Sequence, residues 1–227
     1  DVAVINPESD PRYREYWSEY YRLTQRKGIS QSYAKIEMRR RHTLIGAMAI
    51  HRGDADGMLC GLHGRFDAHL ENIRDVIGLR AGETALATLN GLMIDKRTLF
   101  IADTYVNETP SADLLAHIAL QASGEVRLFG LQPKVAFVSH SNYGSSRRES
   151  ARRVRDAYEI FKRLAPGVEC DGEMHGDAAL SEVIRKGNLM DSPLSGEANV
   201  LICQNIDAAN ILFNVLKACG AEGTTVG

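Results

Sequence analysis

No stretch of this 227-residue sequence stays apolar for long enough to cross a bilayer. Its longest apolar runs, such as Val135–Val138 and Val200–Cys203, fall far short of the roughly 20 residues that a spanning helix needs. No signal peptide is expected at its start. Charge of one sign is also missing. Lysine and arginine number 27 against 29 acidic residues, a net charge of -2, which gives no reason to expect nucleic acid or an anionic membrane as partner. Cysteine is sparse: Cys60, Cys170, Cys203 and Cys219 are far apart and form no CxxC, which argues against a metal site. Three of them lie in or beside apolar segments, as buried thiols do in a reducing cytoplasm. There is no GxSxG, Walker loop or GxGxxG, so a free-standing dehydrogenase or kinase is unsupported. Internal repeats and low-complexity linkers are absent. Neither Asp1 nor Gly227 resembles a natural terminus, and the chain is expected to be a fragment.

What is there is ordinary globular composition, 44% hydrophobic and 25% charged, enough for one large domain or two small ones. Asp10-Pro11 reads as an N-cap and first-turn proline of a helix running to Gly28, with Tyr13, Trp17, Tyr20, Tyr21 and Leu23 at helical spacing. Ser30 caps a second helix to about Arg41, and Thr43 to His51 continues as an apolar helix ending near Gly53. Ala55 to Cys60 reads as a short buried strand. Leu70 to Ile77 is helical, and Gly78 to Glu83 is a turn.

From Ala85 the pattern changes. Leu92–Ile94 and Leu99–Ala102 read as paired strands around an Asp95-Lys96-Arg97 turn. Ser111 precedes a helix to Phe129, Lys134–Ser139 is a buried strand, and Glu149–Leu164 is an amphipathic helix. Asp177–Arg185 is another helix, capped by Asp177 or its neighbours, Asn199–Cys203 another buried strand, and Asp207–Cys219 a last helix. Alternating strands and helices predict an α/β fold, a sheet layered with helices. The best boundary lies near Gly82, dividing residues 1–84 from 85–227.

Three loops follow apolar runs, where α/β sheets usually bind ligands. They are Gly61–Arg65, Ser139–Ser146 and Gln204–Asn210. The second is rich in small donors suited to a phosphate, and reads equally as a serine-rich connector. Arg147, Arg148, Arg152, Arg153 and Arg155 then read as a solvated helix face, with a phosphate contact by Arg147 or Arg148 as the sharper alternative. His63 with Arg65 and Arg74 could form an anion pocket, although His63 also reads as a structural histidine. Asp171, Glu173, His175 and Asp177 alternate along a strand rather than sharing one helix face, which speaks against a metal motif.

The order of these segments resembles the phosphate acetyltransferase family along essentially the whole chain. The resemblance rests on Asp56-Gly57-Met58 with Gly61, His63 and Ile73-Arg74, and on Asp103-Thr104-Tyr105-Val106-Asn107 with Pro110-Ser111-Ala112. It continues with Gly130–Ala136 followed by Ser139, Asp171-Gly172-Glu173 with Asp177-Ala178-Ala179, Ser195–Leu201, and Asn210-Ile211. Asn6-Pro7-Glu8, Ile73–Leu79, Ser139–Ser146 and Gly172–Asp177 look most like the version fused to bacterial NADP-dependent malic enzymes. The resemblance implies a phosphotransacetylase-like fold of the isocitrate/isopropylmalate dehydrogenase type, with two subdomains flanking a cleft. Residues 1–84 would be part of the first subdomain and 85–227 the second.

It also implies a function: a cytoplasmic regulatory and oligomerisation domain that binds acetyl-CoA as allosteric effector. The parent chain would be a malic enzyme using NADP and Mg or Mn, with its catalytic domain upstream. The implied partners are that domain and further copies in a homodimer or higher oligomer, with no nucleic acid or membrane. The implied ligand residues are His63, Arg65, Arg74, Asn107, Ser139, Ser141, Tyr143, Gly144, Ser145, Ser146, Asp207 and Asn210, with no catalytic or metal-ligating residue and no cofactor in this segment. Two departures argue against transferase activity. Thr24 stands where Leu23–Gly28 would need the family's arginine, and the family's catalytic Ser-Arg-Gly segment is not in the sequence. The alternative is an active acetyl- or butyryltransferase moving an acyl group between acyl phosphate and CoA.

Overall fold

The computed structural model describes residues 4–94 and 97–220, and the backbone of 224–226. Two compact units divide the chain, Asp1–Thr84 and Ala85–Gly227.

The first unit is helical among its described residues. It contains α1 (Tyr13–Thr24), a 3-10 turn (Gln25–Lys27), α2 (Gln31–Arg40), α3 (His42–Arg52) and α4 (Phe66–Val76). Tyr16, Tyr20, Met38, Leu44, Met48 and Val76 are among its buried core residues. Ser30 accepts from the Tyr33 amide and starts α2, while Gly53, at φ +78, stops α3. Asp10 does not cap α1 as expected. Its Oδ1 accepts from the Arg12 amide and its carboxylate pairs with the Arg12 side chain, so the helix begins only at Tyr13.

The expected strand at Ala55–Cys60 is absent. Leu59 and Leu62 are fully exposed, and the segment pairs with no other. Its apolar run is short and bracketed by Gly57 and Gly61, and a lone extended segment gains nothing without a neighbouring ladder. Ala55 and Met58 anchor it to the core of this unit, Met58 packing onto Gly46 of α3, where a Cβ would collide with its Sδ.

The second unit is a sheet with helices on both faces. Its strands are β1 (Leu89–Ile94), β2 (Arg97–Ala102), β3 (Lys134–Val138), β4 (Glu169–Met174), β5 (Val200–Cys203) and β6 (Thr224–Val226), in the order β4-β3-β5-β2-β1-β6. β3 pairs in parallel with β4 and β5, and β5 with β2, while β1 runs antiparallel to β2 and β6. Asp95 and Lys96, two of the three residues expected in the β1–β2 turn, lie outside the described residues; Arg97 opens β2.

Side chains alternate across the sheet as the pleat requires. Val135, Phe137, Val200 and Ile202 face one core with α5 (Ala112–Leu128) and α6 (Glu149–Leu164). Ala136, Leu201 and Cys203 face the other, with α7 (Gly176–Leu180) and α9 (Ile206–Cys219). Central strands buried on both faces read as unbroken apolar runs, which is why β3 and β5 are visible in the sequence.

Two expectations need correction. The helix expected over Asp177–Arg185 is two helices, α7 and α8 (Glu182–Asn188), parted by extended Ser181, whose hydroxyl accepts from the Ile184 amide. Arg185 explains the break. It is fully buried and donates to the carbonyls of Ala178, Leu194 and Gly196, so the chain must fold back over the end of α7. Asp177 does not cap α7, which begins after His175 without a side-chain cap; it sits in the first turn. α9 is capped by Asn205, which accepts from the Ala208 amide. The apolar residues of α9 are divided: Leu212 and Leu216 pack onto the sheet, while Ile211 and Val215 are exposed.

Candidate functional site

The carboxyl ends of β2, β3, β4 and β5 lie along one edge of the sheet, because these strands are parallel and Val138 is level with Cys203 and Ala102 with Ile202. Their loops hold most of the candidate residues. At the β4 end, Glu173 is fully buried. Arg155 grips it twice, Nε to Oε2 at 2.9 Å and Nη2 to Oε1 at 2.9 Å. Ser141 Oγ donates to Oε1 at 2.7 Å and the Gly144 amide at 2.9 Å. Burial alone would raise this carboxyl's pKa, but the Arg155 pair, the Ser141 hydroxyl and the Gly144 amide outweigh it and hold the value at about 2.

The serine loop is therefore closed upon itself rather than open to an anion. Ser146 N donates to Ser141 Oγ, Asn142 N to Ser145 Oγ, and Tyr143 N to the Glu173 carbonyl. His140 meets the Ser146 hydroxyl at 3.2 Å. The Gly144 amide and the Ser141, Ser145 and Ser146 hydroxyls, expected to face a phosphate, are engaged by the protein. Tyr143 adopts φ +47 and reaches down to donate from its hydroxyl to Asp171 Oδ2 at 3.0 Å. Burial, then the Asp171 charge, pushes the Tyr143 pKa up. Asp171 also accepts from Ser192 Oγ at 2.5 Å, and Ser192 accepts from Arg185 Nε at 3.0 Å. Two buried acids thus stand beneath one loop, each supplied with donors from a different direction.

At the β2 end, Asp103 organises the loop. It accepts from the amides of Thr88, Tyr105, Val106 and Asn107 and from the Asn107 side chain. Asn210, from α9, donates to the Thr104 carbonyl at 3.2 Å. Asn107 and Asn210 therefore shape this edge, while Asp207 is exposed in the first turn of α9.

Between these clusters, three buried polar atoms have no hydrogen-bond partner: Ser139 Oγ after β3, Gln204 Oε1 after β5 and Arg153 Nε from α6. Arg153 is tied to the same corner, its Nη2 reaching the Gln204 carbonyl at 3.5 Å. Buried polar groups are rarely left unpaired, so each is a place for a ligand atom or an ordered water.

In the first unit, His63 lines a hollow of about 490 Å³ with Arg40, Arg41, His42 and His69. His69 Nε2 meets the His63 carbonyl at 2.7 Å, so that nitrogen carries the proton, and Nδ1 meets the Thr43 hydroxyl at 2.6 Å. Arg65 and Arg74, expected to join His63 in an anion pocket, line no part of this hollow. They sit exposed at the start and in the last turn of α4.

Residues 1–227 match the phosphate acetyl/butaryl transferase family from end to end. The chain belongs to that family. It is 48% identical over 227 residues to an NADP-dependent malic enzyme of Salmonella typhimurium, covering all of this chain and 30% of that protein. It is 45% identical over 217 residues to an NAD-dependent malic enzyme of Rhizobium meliloti, covering 96% of this chain and 28% of the other. Its structure superposes on a phosphotransacetylase from Streptococcus pyogenes with a TM-score of 0.88 at 26% identity, over 100% of this chain and 69% of that one. The chain thus spans less than a third of the malic enzymes it matches.

Within this family's fold, Thr24 occupies the position where the resemblance calls for an arginine. It is fully buried, with its hydroxyl donating to the Tyr20 carbonyl at 2.7 Å, so the site holds no charge. Arg153 and Arg155, expected on a solvated helix face, and Gln204, expected only as the first residue of a candidate loop, meet at the carboxyl edge of the sheet. Their one signal was position: Arg153 and Arg155 lie just beyond the serine loop, and Gln204 directly after an apolar strand.

Proposed function

We propose that this chain is a regulatory and oligomerisation domain of a malic enzyme, a phosphotransacetylase fold that binds acetyl-CoA and no longer transfers acyl groups. The observation that carries the reading is the likeness to malic enzymes along the entire chain, at 48% identity over 227 residues. Two features support the loss of transferase chemistry. Thr24 is a buried hydroxyl where an arginine would be needed, and the serine loop's donors already hold Glu173. Without a phosphate-facing cation and open donors, acyl transfer lacks its electrostatic assistance. Ser139, Arg153 and Gln204 offer unpaired polar atoms that suit an amide-bearing chain such as pantetheine.

For such binding to regulate, acetyl-CoA must favour one of two states of the assembly. The upstream domain would carry the malate chemistry, with NADP or NAD and Mg or Mn. Both dinucleotides stay open, since one relative is named for each. Among the described residues no helix is long and apolar enough to cross a membrane.

The test uses the complete enzyme. Acetyl-CoA should change its malate turnover, and acetyl phosphate with CoA should give no acetyl-CoA. Arg153→Ala should weaken acetyl-CoA binding about tenfold or more, as expected for one lost charge-assisted contact, while sparing basal malate oxidation. Turnover of acetyl phosphate would establish the alternative, an active transferase. Indifference to acetyl-CoA in both assays would remove both readings.

A further inference from the structure

Ser139 Oγ, Gln204 Oε1 and Arg153 Nε are buried polar atoms without partners, set where β3 and β5 end. We infer that together they read a secondary amide of the bound ligand, Gln204 taking its N–H and Arg153 Nε–H donating to its C=O. This rests on the acetyl-CoA reading and deepens it: the pantetheine arm supplies the amide.

The sheet puts two of these residues side by side. β3 and β5 are parallel neighbours that pair Val138 with Cys203, so Ser139 and Gln204 are the next residue on each. Val138 and Cys203 belong to the core beneath α7 and α9. One step along the pleat turns Ser139 and Gln204 to the opposite face, where α6 packs. Arg153 reaches them from that helix. Its Nη2 meets the Gln204 carbonyl at 3.5 Å, which holds the guanidinium over the loop and leaves Nε unpaired. All three residues are only half-buried, so a change of rotamer is enough to present these atoms to a ligand.

The three atoms differ in what they need. A carbonyl oxygen only accepts, a guanidinium N–H only donates, and the Ser139 hydroxyl does either. An occupant must therefore bring a donor and an acceptor close together. A secondary amide does so in one planar unit. A phosphate or carboxylate offers acceptors alone and leaves Gln204 Oε1 unpaired. An apolar chain leaves all three unpaired. Unpaired atoms cost the free protein stability, and an amide that pairs them recovers it on binding.

That opposition between stability and affinity is a signature that a merely structural role would not produce. Gln204→Leu and Ser139→Ala each delete an unpaired group. The free enzyme should keep or raise its thermal midpoint in both. Acetyl-CoA should bind about tenfold more weakly to Gln204→Leu, and about fivefold more weakly to Ser139→Ala, which loses one neutral hydrogen bond. Arg153→Lys keeps the charge but has no Nε–H, and should also weaken acetyl-CoA about tenfold. Calorimetry on the complete enzyme measures these affinities. Adenosine 3′,5′-bisphosphate, a probe without amides, should behave identically with the native enzyme and the variants. Native affinity for acetyl-CoA in Gln204→Leu or Arg153→Lys would leave the corner to ordered water and overturn the inference. So would a midpoint that falls with affinity in both Gln204→Leu and Ser139→Ala, or a bisphosphate weakened as much as acetyl-CoA. A native enzyme that does not bind acetyl-CoA would remove the acetyl-CoA reading itself, and this inference with it.

Discussion

Glu173 shows how one residue can govern a loop. Its carboxylate is buried, yet stays ionised because four donors from Arg155, Ser141 and Gly144 surround it. Its pKa is depressed from 4.5 to about 2. The sign follows directly: a depressed carboxyl stabilises the fold fully above its unfolded value and loses that contribution as pH falls through its folded value. Stability should therefore decline between pH about 4.5 and about 2 with a component that Glu173→Gln removes. At neutral pH that variant leaves part-exposed Arg155 without its counter-charge and should lose about 1.5–3 kcal/mol, the usual worth of hydrogen bonds to a charged group. Urea unfolding at pH 7 and pH 3 measures both. Equal pH profiles for the two proteins would show that Glu173 is not the group titrating. None of this was legible beforehand. In the sequence Glu173 is one of several acids in a short segment, and Arg155 one of several arginines on a helix. Only the fold brings α6 over the end of β4. Ser139, by contrast, was found from the sequence, because a small polar residue directly after an apolar run marks a strand's carboxyl end.

At the scale of elements, visibility followed burial. β3 and β5 are covered on both faces and read as unbroken apolar runs, so their strand character and adjacency could be stated from residues 135–138 and 200–203. In the sequence β4 shows itself only through the alternation of Asp171 and Glu173. Its Cys-Asp-Gly-Glu sequence inserts two carboxylates and a glycine into a buried strand, a pattern that hydropathy scores as a loop. It is tolerated because each acid has its own donors. Ala55–Cys60 erred the other way, since an apolar run becomes a strand only beside a partner, and the first unit's described residues provide none. The α7–α8 break had a local signal that apolar spacing hid: Ser181 followed by Glu182 is a cap and first-turn acid in the middle of an apparent helix. Ser181→Ala should cost about 1 kcal/mol, the usual value of a lost N-cap. Thermal unfolding checks this; a loss below a few tenths would mean that buried Arg185 alone holds the turn.

For the molecule as a whole, α9 presents the testable surface. Ile211 and Val215 are 62% and 52% exposed, whereas Leu212 and Leu216 are committed to the sheet. If the proposed oligomerisation uses this helix, the exposed pair is the part available for it. Ile211→Glu with Val215→Glu should keep the thermal midpoint while lowering the assembly's mass in light scattering. A folded double variant of unchanged mass would place the contact elsewhere. Changing Leu212 instead would confuse this test, since its loss would damage the core.

The closed serine loop has a consequence in time as well as in space. Ser139 N is bonded to the Met174 carbonyl, Tyr143 N to the Glu173 carbonyl and Gly144 N to the Glu173 carboxylate. These three amides can reach solvent deuterons only when the loop separates from β4, and that separation strips a buried carboxylate of its donors. They should exchange on the slow timescale of the central strands rather than the fast one of surface turns. In Glu173→Gln the Gly144 amide should speed up most, because it loses the charge that retains it. Deuterium uptake resolved at these positions would reveal a surface segment whose clock is set by the core.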